Sequence, residues 1–407
     1  MNTEELERNK TIQIADVFKA GRRAAQLRRS DQGTEFVYFP DYLNDGIPVA
    51  TTLPLTTTPL LTTAGAVPPF FAGLLPEGRR LTSLRRHVKT SANDELSLLL
   101  AVGRDPVGNV QVVPEGELPG EQESLLVVTQ SFSEIHFSEL MVEAGVVDLV
   151  SIPGVQDKVS ARMISVPLRS AGTRYILKLD PPEYPHLIEN EYFFLSMAAA
   201  SGMPTVRAEL VEDVDGRKGL LIQRFDRVSL PGGKTRSLAC EDACQLLNLW
   251  PSDKYNVTSE RLIGAIQSVC TAGIVAARDV FRQLCFAWLT GNGDVHAKNV
   301  SVLADFEGEW SVAPAYDLPS TVPYGDLTLA LSIGGKTKDL SRRGMLDFAN
   351  AIGLNEKAAS SALDGVLERT AGVVEKLSGG VIPFDPHTVS EMVRTLRYRR
   401  HQMTSHG

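Results

Sequence analysis

Residues 289–320 read LTGNGDVHAKNVSVLADFEGEWSVAPAYDLPS, and the other motifs of the chain are related to this stretch. The preceding run FRQLCFAWL has the character of a buried helix, whereas VSVL and WSVAPAY predict two short strands around a turn. Four polar side chains occupy the loop between this helix and this hairpin: Asp294, His296, Lys298 and Asn299. Binding and catalytic residues are concentrated on loops that a rigid scaffold holds in place. This stretch is therefore the first candidate for a functional site.

The spacing of the acidic and amide side chains indicates which kind of reaction this loop would catalyse. Asp294 and Asn299 stand in the order D-x-x-x-x-N, the spacing of a protein-kinase catalytic loop, and Asp317 follows the hairpin, where a later aspartate can hold Mg²⁺. Asp294 would orient the substrate hydroxyl and accept its proton, while Asn299 and Asp317 offer the oxygen ligands that Mg²⁺ prefers. Taken alone, the spacing has a structural alternative, because Asp and Asn are frequent in loops through Asx-turns.

A second candidate lies upstream, in a short predicted strand. Lys178 belongs to YILKL and shares a strand face with Ile176, so its ammonium group needs an anionic partner. A nucleotide phosphate is one such partner. Glu191, in the following predicted helix, is another, through a lysine–glutamate ion pair. The structural alternative is an edge-strand lysine whose charged end reaches solvent.

Two further segments fit a nucleotide site less specifically. The loop SIPGVQDK at residues 151–158 contains one glycine, so it is neither a GxGxxG loop nor a Walker A loop. Its backbone N–H groups could still cap phosphates, although an ordinary hairpin turn is the simpler interpretation. Residues 223–227, QRFDR, follow a predicted strand at the place where a kinase hinge would contact adenine. Their alternative is a surface cluster of ion pairs.

The composition restricts the class of protein. The chain of 407 residues is 43% hydrophobic and carries a net charge of −8, which excludes a generic binder of polyanions. Two basic clusters, at residues 22–29 and 79–89, are interpreted as solvated helix faces. The four cysteines form no C-x-x-C pair and lie among apolar neighbours, as reduced core cysteines do. With neither a secretory h-region nor a membrane-spanning run in the sequence, we expect a cytoplasmic protein without membrane attachment.

Predicted strands and helices are unevenly distributed along the chain. Residues 11–65 are rich in strand-forming side chains, and two helical segments follow, one interrupted at Pro76 and one predicted to begin at Ser91. The Pro/Gly/Glu-rich run at 114–124 predicts a linker. Strands dominate again after this linker, and helices take over later, beginning with EDACQLLNLW.

This distribution predicts an α+β protein with a cleft between two lobes. The predicted parts are an N-terminal subdomain at residues 1–125, a nucleotide-binding lobe at 126–228 and a helical catalytic lobe at 229–407.

Taken together, these motifs resemble the HipA family, the serine/threonine-kinase toxins of bacterial toxin–antitoxin pairs. FAGLLPEG and GRDPVGNVQVVPE look like the N-terminal subdomain of the family, and SIPGVQDKVSA looks like its nucleotide loop. YILKL, ENEYFF, QRFDR and EDACQLL follow in the family's order, and GNGDVHAKNVSVL with PAYDLPS looks like the catalytic and metal loops. The resemblance covers nearly the whole chain. It implies a two-lobed protein-kinase-like fold with an extra N-terminal α/β subdomain and a helical C-terminal lobe.

The resemblance also implies roles at matching positions. Asp294 would be the catalytic base, Asn299 and Asp317 the Mg²⁺ ligands, and Ser151 the autophosphorylated serine. Glu191 would support Lys178 as its ion-pair partner. The implied ATP-binding residues are Ile152, Pro153, Gly154, Val155, Gln156, Asp157, Lys158, Lys178, Gln223, Phe225, His296 and Tyr316.

The implied function is that of an ATP- and Mg²⁺-dependent serine/threonine protein kinase that inhibits growth. The resemblance suggests a translation-related protein as its substrate, such as glutamyl-tRNA synthetase. It also implies a HipB-like helix-turn-helix antitoxin as partner, through which the chain would reach operator DNA and co-repress its operon. Two alternatives stay open: a non-catalytic co-repressor that bridges antitoxin on DNA, and a small-molecule phosphotransferase.

Overall fold

The computed structural model describes residues 8–63, 65–90, 94–120, 126–143, 163–170, 173–231 and 234–404. Its N-terminal part is built on a five-stranded antiparallel sheet with the strand order β4-β3-β2-β1-β5. The strands are β1 (Ile14–Lys19), β2 (Arg22–Ser30), β3 (Gly33–Tyr38), β4 (Leu60–Thr63) and β5 (Val110–Pro114). The accompanying helices are α1 (Pro40–Leu43), α2 (Pro69–Gly73), α3 (Gly78–Val88) and α4 (Glu95–Val102). Sheet and helices share one hydrophobic core that includes Leu27, Phe71 and Leu99.

Three predictions for this part were wrong. The basic cluster at residues 22–29 forms strand β2 rather than a helix face. Ala24, Ala25 and Leu27 are fully buried in that strand, so tertiary packing outweighs the helical character of the sequence. The helix predicted to begin at Ser91 begins at Glu95, because the Asp94 carboxylate accepts a hydrogen bond from the Ser97 N–H at 3.3 Å and caps it. The second basic cluster lies in helix α3, as expected, but Arg79, Arg80 and Arg85 are partly buried, so the expectation of a solvated face was wrong. The interruption at Pro76 separates α2 from α3.

The next part contains a second five-stranded sheet with the order β6-β7-β8-β10-β9. Its strands are β6 (Leu126–Val128), β7 (Ile164–Ser170), β8 (Thr173–Leu179), β9 (Ala208–Glu212) and β10 (Lys218–Gln223), and its helices are α5 (Phe137–Glu143) and α6 (Leu187–Ala200). Only the β6–β7 pair is parallel among the described strand pairs of this sheet. Lys178 lies on β8, between β7 and β10. The alternative of an edge-strand lysine is therefore wrong.

The remainder is mainly helical. Two small antiparallel sheets are formed by β11 (Arg227–Ser229) with β12 (Thr235–Ser237), and by β13 (Cys240–Asp242), β14 (Ser301–Ala304) and β15 (Trp310–Val312). The helices are α7 (Ala243–Leu246), α8 (Ser259–Val269), α9 (Gly273–Thr290), α10 (Arg342–Ala351), α11 (Glu356–Arg369), α12 (Val373–Ser378) and α13 (Pro386–Thr404). The predicted helix EDACQLLNLW is thus shorter than expected, since its first residues pair with β14 and only four residues are helical. The largest hydrophobic core surrounds α9, whose Phe281, Phe286 and Trp288 are buried.

The side chains of all four cysteines are buried free thiols, as the sequence predicts for core cysteines. None of the helices within the described ranges has both the length and the apolar character that a membrane crossing requires. The strand-rich and helix-rich lobes, with the additional N-terminal sheet, form the predicted α+β architecture.

Candidate active site

The loop between α9 and β14 begins at a tight reversal of the chain. Gly291 ends α9 with φ +76°, a left-handed conformation that glycine adopts without strain. The Gly291 carbonyl accepts a hydrogen bond from the Thr321 N–H at 2.8 Å, which joins this loop to the segment after β15. Every residue from 291 to 300 except Lys298 is buried. Polar groups in this loop therefore need partners within the protein.

Asp294 lies in this buried loop and is 2% exposed. Its Oδ1 accepts a hydrogen bond from the Tyr255 hydroxyl at 2.9 Å, and its backbone N–H donates to Asn292 Oδ1 at 2.9 Å. Burial, together with the charge of Asp294, raises the pKa of Tyr255, so this hydroxyl stays protonated and continues to donate. The Asp294 carboxylate is thereby fixed in position by neighbours on both sides.

Asn299, near the end of this loop, contacts Asp317, which follows β15. The Asn299 amide Nδ2 donates to Asp317 Oδ2 at 2.5 Å, while the buried Oδ1 of Asn299 has no hydrogen-bond partner in the part of the chain that the structure describes. Asp317 itself has φ +57°, an unusual conformation for a residue other than glycine. Strained backbone of this kind is concentrated at functional sites, where the surroundings hold it.

Lys178 connects the two lobes at this point. Its Nζ donates to both carboxylate oxygens of Glu191, at 2.8 and 2.9 Å, and to Asp317 Oδ1 at 3.0 Å. Burial alone would lower the pKa of Lys178, but the Asp317 and Glu191 carboxylates together raise it above its usual range. The lysine is therefore a permanent cation, and the predicted Lys178–Glu191 ion pair is present in the structure.

Acidic side chains outnumber the lysines that contact them in the described part of this site. Asp294, Asp317 and Glu191 stand against the ammonium group of Lys178, and burial raises the pKa of Glu191 to about 7. The unpartnered Oδ1 of Asn299 and the Asp317 carboxylate are hard oxygen donors, so these residues fit a cation such as Mg²⁺. Among the described residues, no group of three or more His, Cys, Asp or Glu side chains could hold a metal by itself. The remaining ligands would come from water or phosphate, as is usual for Mg²⁺.

A cavity of about 360 Å³ extends from Lys178 toward the segment after β10. Gln223, Phe225 and Tyr316, three of the predicted nucleotide contacts, line it together with Lys178. The Phe225 and Tyr316 rings are stacked, with centroids 5.7 Å apart and an interplanar angle of 22°. The Tyr316 hydroxyl donates to the Lys298 carbonyl at 2.7 Å, which fixes the ring at the base of the cavity. The cavity thus combines an aromatic wall with charged side chains, among them Lys178 and Arg224, as a nucleotide site requires.

His296 does not belong to the wall of this cavity. It is buried, and its ring packs edge-to-face against Tyr255 with centroids 5.0 Å apart. Residues 151–158, which include Ser151 and the predicted phosphate loop, lie outside the residues that the structure describes.

The QRFDR segment is not a surface cluster, and that alternative was wrong. Arg224, Asp226 and Arg227 are buried, and both arginines contact Asp105 of the N-terminal part. Asp105 also pairs with Arg174 of β8 at 2.7 Å. Burial would raise the pKa of Asp226, but Arg224 and Arg227 lower it to about 2. This network attaches the hinge segment to the N-terminal subdomain.

A second attachment holds the catalytic loop itself. The Lys298 Nζ donates to the Gly73 carbonyl at the end of α2 and to Asp242 Oδ2, both at 2.9 Å. Lys298 had no assigned role in the sequence, and the structure shows it joining the loop to the N-terminal subdomain. Gln245, which caps α7 together with Asp242, also donates to the Phe70 carbonyl at 2.9 Å.

Several residues at the site were not predicted from the sequence. Tyr255 and Asn292 hold Asp294, and the Asn292 amide also donates to the Asp317 carbonyl at 3.3 Å. Tyr255 lies outside the motifs identified in the sequence. Asn292 stands two residues before Asp294 in the quoted stretch, so its position was the only available signal.

The two lobes, the Lys178–Glu191 ion pair and the contact of Asn299 with Asp317 are features of a protein-kinase-like fold. Residues 150–374 match the HipA-like C-terminal domain, and residues 15–113 match the HipA N-terminal domain. The chain belongs to the HipA family of kinases. The family resemblance read from the sequence is thereby confirmed.

Individual relatives agree with this assignment. The chain is 30% identical over 399 residues to Y4mE of Sinorhizobium fredii, which is named as a kinase, covering 90% of this chain and 93% of that protein. It is 26% identical over 382 residues to the serine/threonine-protein kinase toxin HipA of Shewanella oneidensis, covering 87% and 86%. A solved structure of the Shewanella oneidensis HipA, HipB and operator DNA complex contains a chain that matches with a TM-score of 0.76 at 23% identity. That match covers 95% of this chain and 96% of the solved one, which confirms the predicted fold class.

Proposed function

We propose that this chain is an ATP- and Mg²⁺-dependent serine/threonine protein kinase and the toxin of a type II toxin–antitoxin system. The observation that carries the proposal is the junction of Lys178, Glu191 and Asp317 across the lobes, with Asn299 beside Asp317. Phosphoryl transfer depends mainly on positioning and charge neutralisation, which these groups supply. Lys178 would hold nucleotide phosphates, and Gln223 and Phe225 would contact the base.

Asp294 acts as the catalytic base in this proposal. Its carboxylate would orient the acceptor hydroxyl and take its proton, while Tyr255 and Asn292 keep it in position. Asn299 and Asp317 would hold Mg²⁺, which when bound supplies neutralisation of the phosphate charge. His296 would support this arrangement through Tyr255, against which its ring packs, rather than by lining the cavity.

The proposal extends to the loop at 151–158 as a phosphate-binding segment and to Ser151 as a site of autophosphorylation. A phosphate adds a charge of about −1.5 to −2 at pH 7, which would oppose the binding of ATP phosphates by the same loop. Autophosphorylation would therefore switch the kinase off. Mass spectrometry of the protein after incubation with ATP tests this, with Ser151→Ala as the unmodified reference.

The biological setting is also part of the proposal. The substrate would be a translation-related protein, such as glutamyl-tRNA synthetase. The partner would be a HipB-like helix-turn-helix antitoxin, with which the chain would co-repress its operon in the cytoplasm. This partner is supported by the fold of the Shewanella oneidensis HipA chain, which was solved with HipB and operator DNA. Co-purification with the adjacent gene product, followed by an operator-binding assay, tests it.

The central experiment measures transfer from radiolabelled ATP in the presence of Mg²⁺. Asp294→Asn and Asp317→Asn should each lower the rate of transfer to protein by about 100-fold or more, and chelation of Mg²⁺ should abolish it. Asp305→Asn is the matched control, because Asp305 is an exposed aspartate in the β14–β15 turn. Unchanged labelling in both site variants contradicts the proposal. Transfer to sugars or aminoglycosides alone would identify a small-molecule phosphotransferase, and operator binding without ATP binding would identify a co-repressor.

A further inference from the structure

We propose that Arg80, supplied by the N-terminal subdomain, is a nucleotide-binding residue at the base and ribose end of the active-site cavity. The proposal rests on the kinase function proposed above. It assigns a binding role to a part of the chain that lies outside both kinase lobes.

The cavity is walled on one side by the N-terminal subdomain. The end of α2 and the segment after it, from Gly73 to Pro76, face the cavity together with Arg80 and residues 105–107. The opposite wall is formed by Ile176 of β8 and by the hinge segment after β10. A nucleotide in this cavity would therefore touch the N-terminal subdomain as well as the kinase lobes.

Arg80 differs from its neighbour on helix α3. The Arg79 guanidinium donates to both oxygens of Glu183, at 2.7 and 2.8 Å. The partly buried Arg80 makes no hydrogen bond or ion pair with any residue in the described ranges, although it lines the cavity. A guanidinium carries five N–H donors, and no Arg80 nitrogen is among the buried side-chain atoms without a partner, so its donors are accessible from the cavity. The free donors of Arg80 indicate that its partner is a ligand.

The neighbouring acid cannot serve as that partner. Asp105 already accepts hydrogen bonds from Arg224 and Arg227 and pairs with Arg174. With Asp226, the cluster contains two carboxylates and, counting Arg80, four guanidinium groups. Burial and the charge of Arg224 lower the pKa of Arg80 in spite of Asp105. The cluster therefore holds surplus positive charge that no described side chain neutralises.

The position of Arg80 points to the nucleoside rather than to the terminal phosphate. Arg80 lines the cavity together with Asp105 and with Arg224 and Phe225 of the hinge segment. The charges of Arg224 and Asp105 also act on its guanidinium group. A nucleoside presents ring nitrogens and ribose oxygens as acceptors, and a guanidinium also stacks on a purine face. Arg80 would close the base end of the cavity.

A nucleotide-binding role of Arg80 and a structural role predict different effects of Arg80→Met on the melting temperature of the ligand-free protein. If Arg80 stabilised the fold, Arg80→Met would lower the melting temperature. Because Arg80 makes no hydrogen bond or ion pair with a described residue and its charge is repelled by Arg224, the substitution should leave the ligand-free melting temperature unchanged or raise it. The loss should instead be seen in nucleotide affinity, where a hydrogen bond to a charged group corresponds to a factor of about 10 or more in Kd.

The test compares the full-length wild-type chain with Arg80→Met, Arg80→Lys and the control Arg79→Met by calorimetric titration and thermal shift. ATP with Mg²⁺ and adenosine alone are the probes. Arg80→Met should weaken binding of both probes by about 10-fold or more, Arg80→Lys should weaken it less, and Arg79→Met should leave it unchanged. Retained affinity in Arg80→Met, or a loss for ATP with none for adenosine, overturns the assignment. A lower ligand-free melting temperature in Arg80→Met does so as well. Failure of the wild-type chain to bind ATP would instead reject the kinase proposal itself.

Discussion

Replacing Lys298 with methionine tests how the N-terminal subdomain is joined to the catalytic loop. The Lys298 Nζ lies 2.9 Å from both the Gly73 carbonyl and Asp242 Oδ2, and both charged side chains are 11% exposed. Methionine retains most of the length and apolar volume of the lysine but removes the charge and the donors. The substitution therefore isolates the polar contribution of this contact.

The expected magnitude follows from burial. At 2.9 Å and an effective dielectric constant of about 20, the gross attraction is about 6 kcal/mol, most of which desolvation offsets. Removing one partner of a buried pair costs about 3–5 kcal/mol, because the other charge stays buried and unpaired. Asp242 keeps the Gln245 N–H on its second oxygen at 2.8 Å. We therefore expect the lower end, a loss of about 3 kcal/mol of unfolding free energy.

A double-mutant cycle of Lys298 and Asp242 measures the interaction between the two side chains. Asp242→Asn alone should cost a similar amount, since asparagine still caps α7 but leaves Lys298 unpaired. The double variant removes both charges. Its loss of unfolding free energy should therefore be smaller than the sum of the two single losses, by a coupling energy of about 2 kcal/mol. Tryptophan fluorescence in urea reports the catalytic lobe, because Trp250, Trp288 and Trp310 all lie there.

The partly exposed pair of Arg342 with Asp364 provides the control, and Arg342→Met should cost about 1 kcal/mol or less. Two results would contradict the reasoning about Lys298. One is strictly additive losses in the cycle, and the other is a Lys298→Met cost no larger than that of the control.

Three further predictions concern the same region. Tyr255→Phe removes the donor to Asp294, so kcat should fall by about 10-fold and the acid limb of the pH–rate profile should move to higher pH. Arg224 and Arg227 lower the pKa of Asp226 to about 2, so this carboxylate should add about 2 kcal/mol to the unfolding free energy above pH 4, and urea titrations between pH 5 and 2 should show this stability lost as the pH falls. Gly73→Ala would place a methyl group 2.8 Å from Gln245 Cγ, so melting temperature and transfer rate should both fall, whereas the exposed Gly308→Asn should preserve the rate.

The kinase lobes could be predicted from the sequence because their signals are local. Asp294 and Asn299 lie within one loop, and Lys178 precedes Glu191 by thirteen residues across one strand and one helix. Hydrophobic periodicity fixes which side chains face the interior in such short segments. The order of these segments then identified the family, and the structure brings Lys178, Glu191, Asn299 and Asp317 together.

The contacts between the N-terminal subdomain and the kinase lobes could not be predicted in this way. Lys298 and Gly73 are 225 residues apart, and Arg227 and Asp105 are 122 residues apart. No local pattern specifies such pairs, because they depend on how three separately folded parts meet. The composition of a charged segment does not show whether the segment is buried either, because a buried ion network contains the same residue types as a solvent-exposed cluster. A surface cluster of ion pairs was therefore an alternative interpretation of QRFDR. In the structure its arginines and Asp226 are buried.

These long-range contacts make the N-terminal subdomain part of the active site rather than an appendage. Its carbonyl at Gly73 holds the catalytic loop, its Asp105 holds the hinge segment, and its Glu77 pairs with Lys254 beside Tyr255. Most of these charged groups are buried at the contact, so separating the subdomain would leave unpaired charges on both sides. The kinase lobes alone would then lose the geometry of the hinge and of the catalytic loop together. A partner that displaces the N-terminal subdomain could therefore switch off transfer without touching Asp294, Asn299 or Asp317.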